Sequence, residues 1–163
     1  AAPDPSPSVS ESGAAAIPQP LPLAASTDFD PQGGDGTENP DLVPLATDGD
    51  QETAWTTVAY KRSSMNPKDG TGLLLDLGLA RPIRAVEVDF YGSGTDFEIR
   101  VGKEESAAAS DYELLAGAVA AGESITIRVP IPVETRYVLV WLTNLPYQEG
   151  TYIGGIREVQ VLG

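Results

Sequence analysis

The chain contains no cysteine and no histidine. The first absence excludes disulfides, thiolate metal sites and cysteine nucleophiles. The second excludes Ser-His-Asp and Cys-His nucleophile systems and any His-ligated zinc. Positive charge is scarce as well: no Lys or Arg precedes Lys61, and ten basic residues stand against 24 acidic ones. Residues 1–60 hold ten acidic and no basic side chains, a charge of −10; the remainder hold fourteen and ten, a charge of −4, giving the formal −14. A chain without a basic stripe cannot hold nucleic acid by counterion release, and anionic lipid headgroups repel it. The acidic surface serves solubility and could attract a cation or a basic protein. A transmembrane run of about 20 apolar residues is missing, as are the basic and apolar regions of a signal peptide. The sequence therefore reads as the mature or excised portion of a longer protein.

What is present divides into two parts. Residues 1–26 are dominated by Pro, Ala and Ser, and the prolines at 3, 5, 7, 18, 20 and 22 prevent a continuous helix or ladder. Such a segment buries too little apolar surface to offset its ordering entropy. It reads as an acidic spacer of up to ~50 Å in polyproline-like form, with Ile17, Leu21 and Leu23 able to dock on the folded part. Residues 28–50, rich in Asp, Gly, Asn and Pro, read as irregular rather than helical.

Strand signals then follow one another. Leu73–Leu77 is a short apolar run; Val86, Val88 and Phe90 alternate with polar residues, as do Phe97, Ile99 and Val101, and Ile125, Ile127 and Val129. Period-two alternation places one face on a core and the other in water. Tyr137–Leu142 is apolar on both faces, as in a central strand covered on both sides, and Val159–Leu162 closes the chain. Gly70-Thr-Gly72, Gly92-Ser-Gly94, Ala121-Gly122 and Pro130-Ile-Pro132 read as turns, and residues 104–109 as a loop or helical turn. Strands without intervening helices predict an all-β, antiparallel β-sandwich of about eight strands over residues 27–163.

The segment Ala46-Thr-Asp48-Gly49-Asp50-Gln-Glu-Thr53-Ala-Trp55 resembles a loop of discoidin, or coagulation factor 5/8 type C, domains and their galactose-binding-like carbohydrate-module relatives. Leu73-Leu-Leu-Asp76-Leu77-Gly78, Pro82-Ile83-Arg-Ala-Val86, Tyr137-Val-Leu-Val-Trp141 and Ile156-Arg-Glu158-Val159 follow in the same order. The resemblance covers about residues 28–163 and implies a discoidin-like jelly roll. Tyr137-Val-Leu-Val-Trp-Leu-Thr143-Asn-Leu, with the Asp48–Trp55 loop, is similar to the C-terminal extracytoplasmic domain of actinobacterial MviN/MurJ-type lipid II flippase-related proteins. That likeness implies a cell-surface domain tethered to a membrane protein of cell-wall biosynthesis. It also implies a monomeric unit recognising a wall glycan, a precursor or an exported protein. A carbohydrate-binding module of a secreted glycosidase and a spacer without a ligand are the alternatives.

For Asp48, Asp50 and Thr53 two readings stand side by side. The residues can form a tight turn whose side chains satisfy backbone N–H groups. The resemblance implies instead a structural calcium ion held by Asp48, Asp50, Thr53, Glu158 and the carbonyl of Leu45, an oxygen set of the kind calcium takes. Two aspartates in one polar turn do not make the facing carboxylate pair that glycosidases need, and the domain is expected not to be an enzyme. Trp55 and Trp141 are expected in the core, since each sits among apolar neighbours. Ligand-contact candidates are the loop residues Tyr60, Lys61, Arg62, Tyr91, Tyr147, Gln148 and Tyr152, because a rigid sandwich presents its end loops at little cost in order.

Overall fold

The computed structural model describes residues 17–163. Its strands are β1 (Ala25–Phe29), β2 (Trp55–Thr56), β3 (Thr71–Phe90), β4 (Thr95–Gly102), β5 (Glu113–Ala121), β6 (Ser124–Asn144), β7 (Tyr147–Gln148), β8 (Thr151–Tyr152) and β9 (Gly155–Leu162). Among the described residues helical structure is confined to two 3₁₀ segments, Pro40–Ala46 and Ala109–Asp111. The all-β antiparallel sandwich expected from the sequence is thus the observed architecture, with nine strands among the described residues.

Two strands make the sandwich. β3 and β6 are 20 and 21 residues long and pair along most of their length. The first half of β3 pairs with the second half of β6, flanked by β1 on one side and β4 then β5 on the other. The second half of β3 pairs with the first half of β6 and with β9, beyond which lies β2. Each long strand therefore bends and serves both layers. The bend has local causes. The ladder slips between Asp76 and Arg81, where Gly78 takes φ +89°, a conformation glycine reaches without strain. It slips again between Ile83 and Ala85, opposite the residues between Arg128 and Val133. Pro130-Ile-Pro132, read as a turn, is instead an irregularity inside β6, a position where proline removes no ladder bond.

Residues of both layers meet in one core. Leu73, Leu75 and Leu77 from the first half of β3 share a cluster with Val86, Val88 and Phe90 from the second, with Phe97 and Ile99 of β4 and with Ile156, Val159 and Val161 of β9. Trp55 is fully buried there, and the Phe90 and Phe97 rings lie 5.0 Å apart. The irregular stretch before Trp55 contributes through its 3₁₀ segment, which starts with Pro40 at its first turn and buries Val43 and Ala46. A second, smaller cluster of Phe29, Leu74, Tyr112, Tyr137, Leu139 and Trp141 covers the outer face of the β1–β3–β6–β4 layer. This accounts for Tyr137–Leu142 being apolar on both faces.

The stretch read as spacer is partly bound. Residues 1–16 lie outside the described residues, but Gln19 N–H donates to Gly163 O (2.9 Å), Leu21 N–H to Val161 O (2.8 Å) and Ala24 N–H to Asp76 O (2.8 Å). β1 begins at Ala25, ahead of the expected boundary at 27. Leu21 and Leu23 pack against the core, whereas Ile17 is 73% exposed. The physical reason is spacing. An antiparallel neighbour receives N–H groups from alternate residues only, and Pro18, Pro20 and Pro22 occupy the alternate positions that owe β9 nothing. The segment thereby covers the outer edge of β9 beyond its short pairing with β2.

Candidate functional site

β7 and β8 form a two-residue hairpin whose turn residues, Glu149 and Gly150, both have positive φ (57° and 80°). That is the turn geometry whose twist matches the flanking strands. It sets Tyr147 directly opposite Tyr152, with ring centroids 5.1 Å apart at 72°, and leaves Tyr147 66% exposed. The hairpin is sewn to the loop after β2: Tyr60 N–H donates to Tyr152 O (2.8 Å), Tyr152 N–H to Tyr60 O (3.1 Å) and the Thr151 hydroxyl to Tyr60 O (2.9 Å). Its other side is sewn to the loop after β3. The Gln148 amide nitrogen donates to Tyr91 O and Ile153 O, each at 2.8 Å, and the Tyr91 hydroxyl donates to the Glu149 carboxylate.

The structure thus brings Tyr60, Tyr91, Tyr147, Gln148 and Tyr152 together at one end of the sandwich. Lys61 and Arg62 follow Tyr60 on the same loop and are exposed. The roles differ. Gln148 is a brace, its amide spent on two carbonyls. Tyr60 is anchored from beneath: its hydroxyl donates to Glu38 Oε1 (2.9 Å) and accepts from Lys68 Nζ (2.7 Å), and burial pushes its phenol up to about 12. The Tyr91 phenol is also raised, chiefly by donating to Glu149, and Arg157 lies over its ring at 5.2 Å. What faces solvent is Tyr147, set edge-on against the partly buried Tyr152, with Lys61 and Arg62 exposed on the adjoining loop. Such a surface can stack an apolar ring face and supply hydroxyl and cationic donors.

Sequence reasoning missed Glu38 and Lys68, which lie under the site. Lys68 Nζ sits 2.9 Å from Asp30 Oδ1 and 3.3 Å from Glu38 Oε1, and both carboxylates are 1% exposed. Glu38 also accepts from Val58 N–H (2.8 Å), while its carbonyl accepts from the Trp55 indole (2.8 Å). Burial raises the Glu38 carboxyl above its ordinary range. No short motif joins residues 30, 38, 60 and 68, so only the fold reveals the hub. Arg157, Glu149 and Thr151 were missed likewise, though the Glu149-Gly150 pair between two tyrosines is a hairpin signal.

The Asp48–Thr53 turn lies apart from the tyrosines. Asp48 accepts from Asp50 N–H (2.9 Å) and the Thr53 hydroxyl (2.7 Å), and Asp50 accepts from Glu52 N–H (2.8 Å). These bonds hold the Asp48 carboxyl below its ordinary range. Glu158 reaches in from β9 and accepts from Gly49 N–H (3.0 Å); burial, then Asp48, Asp89 and Asp50, push its carboxyl up. Glu158 and Asp48 thus accept from consecutive amides, those of Gly49 and Asp50, with the Thr53 hydroxyl and, 3.2 Å from it, the Asp50 carbonyl in the same turn. Among the described residues no three acidic side chains are grouped as metal ligands. A cation here would take most of its oxygens from carbonyls and hydroxyls.

No protein-family model matches the sequence. Solved structures do match. The family 32 carbohydrate-binding module of AlyQ, in complex with 4,5-unsaturated mannuronic acid, superposes with a TM-score of 0.64 at 16% identity, over 88% of this chain and 97% of that one. The fold is that of the family 32 modules. Chitosan-binding module 1 of a chitosanase/glucanase from Paenibacillus sp. IK-5 matches at 0.63 and 16%, over 88% and 96% of the two chains. The family 32 module of Clostridium perfringens NanJ, in complex with galactose, matches at 0.60 and 18%, over 90% and 100%. These likenesses show a shared β-sandwich fold.

Proposed function

We propose that this chain is a non-catalytic glycan-binding domain that takes its ligand at the loop end, on the Tyr147–Tyr152 pair. The observation that carries the reading is Tyr147, a large aromatic 66% exposed on a hairpin braced from two sides. A rigid aromatic held out to solvent suits the apolar face of a sugar and loses little entropy on binding. The shared fold with modules solved with saccharides supports it. The finer proposal places the domain outside the cytoplasm, tethered through its N-terminal segment to a cell-wall-biosynthesis membrane protein; the motif likeness of residues 46–55 and 137–145 supports that context. A module of a secreted glycan-degrading enzyme is the second reading, favoured by the chitosanase/glucanase origin of one structural neighbour.

Chemical-shift titration with galactose, chitosan oligomers and peptidoglycan fragments tests this. Signals of residues 60–62 and 147–152 are expected to move, and Tyr147→Ala to weaken binding by about tenfold, roughly 1.4 kcal/mol, with an unchanged melting temperature. No binding by any of the three, or full affinity in the variant, overturns the proposal. A preference for peptidoglycan fragments supports the wall context, and a preference for the others the second reading.

The proposal includes calcium at the 48–53 turn, held by the side chains of Asp48, Thr53 and Glu158 and by the carbonyls of Asp50 and Leu45. Bound there, the ion would favour the charged form of Glu158, whose carboxyl is pushed up first by burial and then by Asp48, Asp89 and Asp50. With a Kd of ~10⁻⁴ M, 1 mM calcium is expected to raise the melting temperature by about 3 °C over chelator. An unchanged melting temperature removes the ion.

A further inference from the structure

A large concavity is found away from the loop end. It lies on the outer face of the β1–β3–β6–β4 layer, has a volume of about 550 Å³, and is lined by Glu98, Arg100, Trp141 and Thr143 with Gln32 and Asp69 at its rim. Its size falls within the ~300–1,000 Å³ of small-molecule sites. The position follows from the topology. Glu98 pairs with Trp141 across the β4–β6 ladder, so both come to one place on the sheet. The loop 107–110 closes one wall.

Trp141 gives the groove its meaning. Its side chain is well packed: the residue is 5% exposed, Phe29 meets it edge-on at 5.7 Å and 74°, and a Cβ added at Gly70 would lie 2.7 Å from its ring. Yet among the described residues its indole N–H has no acceptor, unlike Trp55, whose indole donates to Glu38 O. It is also not one of the buried polar atoms shut off from solvent without a partner. A packed indole normally finds an acceptor for its N–H. Trp141 instead lines the groove.

The polar groups beside it have capacity left. Arg100 spends Nε on Glu98 Oε1 (2.8 Å) and Nη1 on Tyr112 O (2.8 Å). Asp69 spends one carboxylate oxygen on the Gln32 amide (2.9 Å). Arg100 Nη2, Glu98 Oε2 and Asp69 Oδ1 have no protein partner among the described residues. A ligand that satisfies N–H donors and carboxylate acceptors together must both accept and donate. Saccharide hydroxyls do both, and the two carboxylates against one guanidinium disfavour a polyanion.

We infer that this groove is a second saccharide site, taking a neutral oligosaccharide through the Trp141 indole N–H, Glu98, Arg100 and Asp69. The inference rests on the glycan-binding reading for its ligand class, but uses none of the loop-end residues.

The two tryptophans give two indole N–H signals, and Trp141→Phe identifies the one it lacks. Titration with cellotetraose and with maltotetraose is expected to move the Trp141 signal saturably and leave that of Trp55 in place. Trp141→Phe is expected to weaken binding three- to tenfold, followed through the amides of residues 98–100, and Glu98→Gln about tenfold. Should Trp141→Phe fail to fold, Glu98→Gln and Asp69→Asn on the groove surface carry the test. An unmoved Trp141 signal with both tetrasaccharides overturns the groove even if residues 147–152 respond, and that result leaves the loop-end proposal standing. Movement of Trp141 alone supports the groove, and the loop end stands or falls by its own titration with galactose, chitosan oligomers and peptidoglycan fragments. A neutral peptide that moves Trp141 where saccharides do not overturns the ligand class.

Discussion

Replacing Lys68 with Met is expected to destabilise the domain by about 3–5 kcal/mol at neutral pH, the cost of leaving buried charge without its partner. Lys68 is the only cation within 4.0 Å of Asp30 and Glu38 among the described residues, and its own side chain is 16% exposed, so little solvent screening softens the loss. The deficit has a pH signature. The Glu38 carboxyl is raised above 4.5 mainly by burial, against the opposing pull of Val58 N–H, Tyr60 and Lys68. A raised folded pKa means stability that is complete below the unfolded value and lost as pH rises through the folded one. Removing Lys68 lifts Glu38 further. The gap between variant and parent should therefore be widest at pH 7 and narrow toward pH 4.5, measured by urea denaturation at each pH. A pH-independent gap would show that Lys68 acts through packing rather than charge.

Trp55→Ala should cost a similar amount, about 3–5 kcal/mol. The residue is 0% exposed, reaches the core from a two-residue strand and orients the Glu38 backbone through its indole. Truncation leaves a cavity in the core cluster that Trp55 shares with Val43, Ala46 and Ile156, and strips the Glu38 carbonyl of its donor. Either loss is a large part of the about 5–15 kcal/mol that holds a domain together. Because both variants act on Glu38, their effects should be non-additive by at least about 0.5 kcal/mol. A loss below about 1.5 kcal/mol for Trp55→Ala in urea melts would refute its place as a core keystone.

The fold class was legible because alternation is local. Val86–Phe90, Phe97–Val101 and Ile125–Val129 announce a strand within five residues each. What alternation cannot announce is continuity. Leu73–Leu77 and Val86–Phe90 look like two strands, yet Gly78 and a slipped register carry one backbone through both. β5 was missed because Glu-Leu-Leu-Ala-Gly-Ala-Val-Ala-Ala shows no period-two contrast; it is an edge strand whose small residues are largely exposed. β1 was missed because Ser26, Thr27 and Asp28 mask it as loop. The loop-end tyrosines could be named from their turn neighbours, since turns gather at the ends of a sandwich. The groove could not. Its residues come from positions 31, 32, 69, 98, 100, 107–110, 141 and 143, and the outward Glu98 and Arg100 read simply as a solvated face.

The pairing of residues 19–21 with 161–163 also has a mechanical meaning. Gln19 and Gly163 exchange hydrogen bonds in both directions, so the two strands meet with those residues side by side. A pull between residue 19 and residue 163 would load these bonds one after another, as a zipper opens, rather than all at once in shear. The strap should therefore peel at low force while the sandwich behind it stays closed. That would free several residues and uncover the edge of β9 before the domain itself bears load.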